Sequence, residues 1–315
     1  MTVKSKNHCC IIGGSGFIGH HVVELLAKQG KSLTVIGRNI HPTRKLPAKV
    51  RYVVGDYGNP KLLSEIFKDV DQIIDLAYTS VPKTSFENPV KDILGNLPAS
   101  VNLFEVASLF PIKKIVIVSS GGTVYGNADN LPITEDHPTN PISPYGITKL
   151  AVEKYAMMYH KIKGLPIVCV RPGNAFGEGQ KPFVGQGFVA TAIASILEKR
   201  EINIFGGHGT IRDFIYVKDL ANAIAAALNC PAGECYNIGT GIGQSNQAIV
   251  EMLSSITKSK DIFSQIKILP ARKFDVAVNI LDSSKLHKQT GWTPKVSLEK
   301  GLKLTWEYFK KYHQS

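Results

Sequence analysis

The sequence predicts an α/β fold, a doubly wound parallel sheet with a smaller C-terminal lobe, on three observations. Short β-branched runs alternate with amphipathic stretches through the first half of the chain, the pattern of strands joined by crossover helices. Between the first run and the first amphipathic stretch stands a glycine-spaced turn, "GGSGFIG" at 13–19. The 315 residues are 43% hydrophobic, enough for a large core in one or two domains.

The elements follow in order. "HCCIIGG" (8–14) reads as the first strand, and "HHVVELLAKQG" (20–30) as a helix that ends on Gly30, as helices commonly do. "SLTVIGR" (32–38), "VRYVVGD" (50–56), "QIIDLAY" (72–78), "KIVIVSS" (114–120) and "PIVCVRP" (166–172) are the further strands of the sheet. "PISPYGITKLAVEKYAMMYHKIKGLP" is a helix with Ser143 as N-cap, Pro144 at its first position, and Gly164 and Pro166 closing it. Past residue 175 the texture changes: glycine-rich loops ("GEGQKPFVGQG", "FGGHGT") separate helices over 187–200, 218–229 and 244–257, and the tail reads as two short helices around a Trp-containing turn. A first domain built on this sheet is therefore expected over 1–174, with later segments returning to it. Residues 175–315 are expected to form mainly a smaller lobe, and no linker is long enough to make it independent.

Bulk properties narrow the class. The net charge of +12 could favour anionic partners, yet the basic residues are scattered, without the aromatic interleaving of a single-strand binder or a helix-turn-helix pattern, so no nucleic-acid partner is expected. No apolar stretch reaches the roughly 20 residues of a membrane helix, and the first residues break into glycines too early for a secretory signal, which predicts a cytoplasmic protein without a membrane partner. The five cysteines form no framework. Cys230 and Cys235 have no His or second Cys pair nearby, so no metal site is expected.

Chemistry concentrates in two places. A Gly-x-x-Gly-x-x-Gly turn opening a helix brings backbone N–H groups close to a ligand, and a phosphate suits the unpaired N–H groups and partial positive charge of a helix start. Tyr145 and Lys149 lie four apart on one helix, hence on one face. An ammonium beside a phenol favours phenolate, so Lys149 is expected to lower the Tyr145 pKa and make it a proton donor and acceptor near neutral pH.

These residues resemble the extended short-chain dehydrogenase/reductases, within them the nucleotide-sugar epimerase/dehydratase branch. The resemblance spans nearly the whole chain, through "GGSGFIG", "VVGDYGNP" (53–60), "DLAYTS" (75–80), "SSGGTVYG" (119–126), "SPYGITKLAVEKY" (143–155), "RPGNAFG" (171–177), "RDFIYVKDLANAI" (212–224) and "NILDSSKLHKQTGWTP". It implies a dinucleotide-binding domain of Rossmann type over 1–174 and mainly a nucleotide-sugar-binding lobe over 175–315, with Gly13, Gly16 and Gly19 cradling the pyrophosphate of the dinucleotide, Asp56 meeting its adenine, and Lys149 also holding its nicotinamide ribose. Phe17, Ile18, Tyr57 and Leu76 complete the implied cofactor-binding set. Tyr145 becomes the acid/base residue at a sugar oxygen, and Asn174, Arg212, Arg272 and Asp275 the contacts to a nucleotide-diphosphate sugar. Arginine suits that task because its planar fork can give two hydrogen bonds to one phosphate. A homodimer through two helices of the first domain is implied as well.

Two departures bear on the reaction. The family's Ser or Thr five residues before the glycine of "VYG" is Gly121 here; Ser119, Ser120 and Thr123 are close, and Thr123 or Ser120 is expected to take over its hydrogen bond. At the end of the second strand, where an NAD-selective site has an acid, stand Gly37 and Arg38. NADP(H) is therefore the preferred cofactor, with Arg44 or Lys45 assisting at a 2′-phosphate, and NAD(H) stays open if Arg38 only stacks on the adenine. A reductase consumes its cofactor's reducing power and an epimerase recycles it, so Arg38 tilts the reading to reduction of a dTDP- or UDP-4-keto-6-deoxyhexose for surface polysaccharide synthesis. A UDP-hexose 4-epimerase acting on UDP-glucose or UDP-N-acetylglucosamine is the alternative, and a non-catalytic NADP-binding sensor the third reading.

Overall fold

A computed structural model describes residues 7–258, 262, 265–272 and 275–313. Seven strands form a parallel sheet: β1 (His8–Ile12), β2 (Ser32–Gly37), β3 (Arg51–Val54), β4 (Gln72–Asp75), β5 (Lys114–Val118), β6 (Ile167–Pro172) and β10 (Glu234–Ile238), in spatial order β10-β6-β5-β4-β1-β2-β3. The order reverses between β1 and β4, which opens a crevice at the carboxyl ends of the strands.

Period-two alternation along β1 sorts the two cores. Cys9 and Ile11 face helices α1 (Phe17–Lys28) and α8 (Val217–Ala227), whose Val22, Leu26, Leu220 and Ile224 share their cluster. Cys10 and Ile12 face α2 (Pro60–Phe67), α4 (Pro89–Ala107) and α6 (Pro144–Lys163), represented by Leu63, Phe104 and Val152. Two short helices, α3 (Pro82–Glu87) and α5 (Gly121–Val124), lie beside α6.

A smaller sheet contains β7 (Asn174–Phe176), β9 (Ile211–Tyr216), β11 (Gly243–Ser245) and β13 (Val278–Asn279), and β8 (Ile202–Phe205) pairs with β12 (Ile266–Leu269). With α7 (Phe188–Glu198) and α9 (Asn246–Thr257) these enclose a third core around Phe176, Ile193 and Leu253. The chain ends in α10 (Ser284–Thr290) and α11 (Leu298–His313). The turn between them seats Trp292 against α8, its indole N–H donating to the Asp219 carbonyl at 3.2 Å. Both β10 and α8 thus come from beyond residue 175 and complete the first sheet and its core.

The expected strands exist, and all but β6, which ends at Pro172 as expected, end earlier than the apolar runs suggest. Gly13, Leu76, Tyr78, Ser119 and Ser120 have left the sheet to line the crevice. The first helix starts at Phe17 rather than 20, because the turn's last glycine is already helical. The second tail helix is not short, running 16 residues. Among the described residues no helix is long and apolar enough to cross a membrane.

Candidate active site

The phosphate turn is built by its glycines. Gly13 has φ +75°, and a Cβ on it would come within 3.0 Å of Ala77 N; a Cβ on Gly19 would strike the Gly13 carbonyl at 2.3 Å. Gly13 N–H donates to Ile36 O and Gly16 N–H to Gly13 O, both at 3.0 Å. Gly16, the α1 N-cap, has no side chain to bond the first-turn N–H groups, which leaves them directed at the crevice for an anion. Gly13, Gly16, Phe17, Ile18, Gly19 and Leu76 line one cavity of about 1140 Å³ together with Tyr145 and Lys149. This cradle fits the pyrophosphate of a dinucleotide.

Helix α6 begins as its residues predict, with the Ser143 hydroxyl accepting from Gly146 N–H at 3.2 Å and Gly164 ending it at φ 69°. Tyr145 and Lys149 are 8% and 7% exposed. The charge relation between them is not the expected one. Burial, with the charge of Asp92 adding to it, raises the Tyr145 phenol above its ordinary value. Lys149 is pushed down to about 8 by burial, against the opposing charges of Asp75, Glu153 and Asp92. Its ammonium donates to Val118 O at 2.8 Å and lies 4.0 Å from the centre of the Tyr78 ring, against 5.9 Å from that of Tyr145. Desolvation of a phenolate outweighs a cation held on other partners.

Three polar groups of this floor escaped the sequence reading. Tyr78 packs edge-on to Tyr145 with ring centres 4.9 Å apart. Asp92 on α4 accepts from the Ser80 hydroxyl and, at 2.6 Å, from the Thr148 hydroxyl. Asp75 ends β4, accepts from Ala77 N–H at 3.0 Å, and is pushed up to about 6 by burial. Tyr78 and Asp75 lie inside the quoted "DLAYTS", a usable signal; Asp92 sits in no motif.

Gly121 is a packing requirement. A Cβ there would lie 2.5 Å from Leu281 Cδ1 and 2.7 Å from Arg171 O, so no hydroxyl fits at that position. Ser120 and Thr123 both line the cavity, and Thr123 Oγ1 is buried with no hydrogen-bond partner among the described residues. A Cβ on Gly122 would come within 3.3 Å of Asn174 Oδ1, and Asn174 lines the same cavity.

From the smaller lobe come Arg212 on β9 and the pair Arg272 and Asp275, which also line the cavity. Arg272 bonds Asp275 at 2.7 Å and stacks 4.3 Å above the Phe205 ring. Burial lowers Arg212 to about 10, with Asp275 opposing and Arg272 reinforcing the shift. A half-buried cation without a full counter-charge favours an anionic ligand.

Asp56, Tyr57 and Arg38, expected at the adenosine end, do not line this cavity. Asp56 is exposed and bonds Gly58 N–H at 2.8 Å. Tyr57 is buried in the second core, so its side chain packs there rather than facing the crevice. Arg38 is exposed at the end of β2. The Arg44 guanidinium lies against the Gly179 carbonyl, and Lys45 is exposed. The position beside Arg38 is also not vacant: the Tyr52 ring fills the space in front of Gly37.

Comparison with known proteins supplies the remaining findings. The profile of the "NAD dependent epimerase/dehydratase family" matches residues 9–239. The chain is 32% identical to a UDP-glucose 4-epimerase of Mycolicibacterium smegmatis over 96% of its own length and 99% of the relative's. It resembles the crystal structure of a Thermotoga maritima UDP-glucose 4-epimerase with UDP-glucose at TM-score 0.91, 34% identity, and 97% and 99% coverage of the two chains. A Thermus thermophilus UDP-glucose 4-epimerase in complex with NAD matches at TM-score 0.89, 30% identity, and 96% and 99% coverage.

Proposed function

The chain belongs to the NAD dependent epimerase/dehydratase family, and from that premise we propose that it is a UDP-hexose 4-epimerase, interconverting UDP-sugars that differ in configuration at C4. One observation carries the reading: a single cavity joins Tyr145, Thr123 and Lys149 with Arg212 and Arg272, a proton-transfer group and a diphosphate clamp in one space. Its volume of about 1140 Å³ exceeds the usual ligand pocket of about 300–1,000 Å³, which suits two ligands side by side and a sugar that must present both faces. The relatives are UDP-glucose 4-epimerases, which supports epimerisation over reduction of a 4-keto-sugar, so the reductase favoured from Arg38 yields to the alternative.

When bound, the nicotinamide supplies reversible oxidation of the sugar C4. As phenolate, the Tyr145 oxygen accepts the proton of the C4 hydroxyl, and as phenol it returns that proton to the same oxygen when C4 is reduced again. Thr123 Oγ1 gives that oxygen its second hydrogen bond, with Ser120 beside it able to do the same. Lys149, on the same helix face, offers its ammonium to the ribose hydroxyls of the nicotinamide half. Arg212 and Arg272 hold the diphosphate, while Asn174 and Asp275 offer hydrogen-bonding groups to the sugar nucleotide.

The test is conversion of UDP-glucose to UDP-galactose by purified protein without added reductant, followed by proton NMR, with the released cofactor identified. Interconversion without net cofactor consumption is expected. Stoichiometric NADPH oxidation by a 4-keto-sugar, with no interconversion, would restore the reductase. Cofactor binding without turnover of any UDP-sugar would leave a sensor.

We also propose a homodimer through α4 and α6. Val90, Ile93 and Leu94 on the first, and Ile147, Met158 and Ile162 on the second, are exposed at helical spacing, an apolar face larger than scattered surface residues produce. Light scattering should give twice the chain mass, and Leu94→Arg should halve it.

A further inference from the structure

The carboxyl end of β2 carries a feature the proposed reaction does not use. Gly37 ends the strand beside the phosphate turn, to which Gly13 N–H ties it through Ile36 O at 3.0 Å. A Cβ on Gly37 would fall 2.4 Å from the hydroxyl oxygen of Tyr52 and 3.1 Å from its ring. Tyr52 lies on β3 opposite Val35, two residues before the partner of Gly37, and so leans along the same face to reach it. Its hydroxyl donates to Asn39 O at 2.9 Å. The proton is thereby committed and the oxygen's remaining lone pair is left to accept. The next side chain, Arg38, is exposed and makes no hydrogen bond or ion pair among the described residues.

An acid at the end of β2 reads the adenosine ribose by accepting from its 2′-hydroxyl and repelling a 2′-phosphate. Here the first side-chain position of such an acid is filled by a neutral phenol oxygen. We infer that Tyr52 takes over this reading and shares it with Arg38. The phenol oxygen accepts from a free 2′-hydroxyl, the guanidinium pairs with a 2′-phosphate, and neither cofactor is repelled. NAD(H) binding then depends on Tyr52, and NADP(H) binding on Arg38. This inference rests on the dinucleotide cradle of the proposed function but not on the sugar reaction.

Fluorescence titration with NADH and NADPH, without sugar, tests it. The wild-type protein should bind both within about 10-fold of each other, since neither form meets a repelling charge. Tyr52→Phe, which keeps the ring, should weaken NADH about 5-fold, the worth of one neutral hydrogen bond, and leave NADPH within about 2-fold. Arg38→Ala should weaken NADPH by about 10-fold or more and spare NADH, because a charge-assisted pair is lost. The double variant Gly37→Asp with Tyr52→Ala should create discrimination against NADPH. Wild-type exclusion of NADPH by more than about 100-fold would overturn the inference, since that is the work of a repelling acid. So would single substitutions that move both cofactors equally. Failure of UDP-glucose turnover leaves these titrations unaffected, so the two readings fail separately.

Discussion

Tyr145 and Lys149 are a pair by spacing and strangers by charge. Their places on one helix face were legible from "SPYGITK" with its cap and proline, but the sign of the tyrosine's shift was not, because it depends on Asp92 and on burial that only the packed fold creates. Tyr145→Phe should lower turnover about 10²- to 10⁴-fold, the usual share of a proton-transfer group, with cofactor titration unchanged. Lys149 costs the fold stability. Its pKa falls from 10.5 to about 8 on folding, so the unfolded chain binds more protons between those values and stability rises as pH climbs from 8 to 10.5. Asp75 acts with opposite sign: raised from 3.8 to about 6, it lets stability fall as pH rises through that window. Lys149→Met should therefore raise the Tm by a few degrees at pH 7, worth about 2 kcal/mol after loss of the bond to Val118 O. It should also abolish the rise above pH 8 and lose activity, outcomes read from melting curves across pH.

At the scale of elements, α5 shows how a departure from a family pattern can arise from packing. Its first residue lies against β6 so closely that Gly121→Ser should destabilise by about 1–3 kcal/mol, the range for overpacking a tight site, without adding a useful hydroxyl. Urea unfolding alongside a turnover assay would check both. Strands β1 to β6 were legible because β-branched runs between turns have one reading. Strands β7, β11 and β13 span two or three residues, too few to display a period. Helix α4 contains Pro98, a residue that argues against a helix interior, and no local pattern outweighs it.

Across the molecule, one buried ion pair joins parts distant in the chain. Arg171 on β6 bonds Glu153 on α6 at 2.6 Å and the Tyr125 hydroxyl at 2.9 Å, and Tyr125 donates to Asn237 on β10 at 2.7 Å. Glu153→Ala should cost about 3–5 kcal/mol, the penalty of a buried charge stripped of its partner, measured by denaturant titration with the wild-type slope retained. The alternating texture announced the doubly wound sheet and the return of later segments to it; which segment supplies the last strand was not legible, since "ECYNI" carries no signal of its partner, and that strand arrives from within the smaller lobe, ahead of β11, α9, β12 and β13. This order of arrival matters during synthesis. A chain growing from the ribosome through residue 174 has made β6 but not the neighbour that covers its open edge, and bare strand edges invite pairing with other chains. Newly made amino-terminal halves should precipitate or recruit chaperones until β10 emerges.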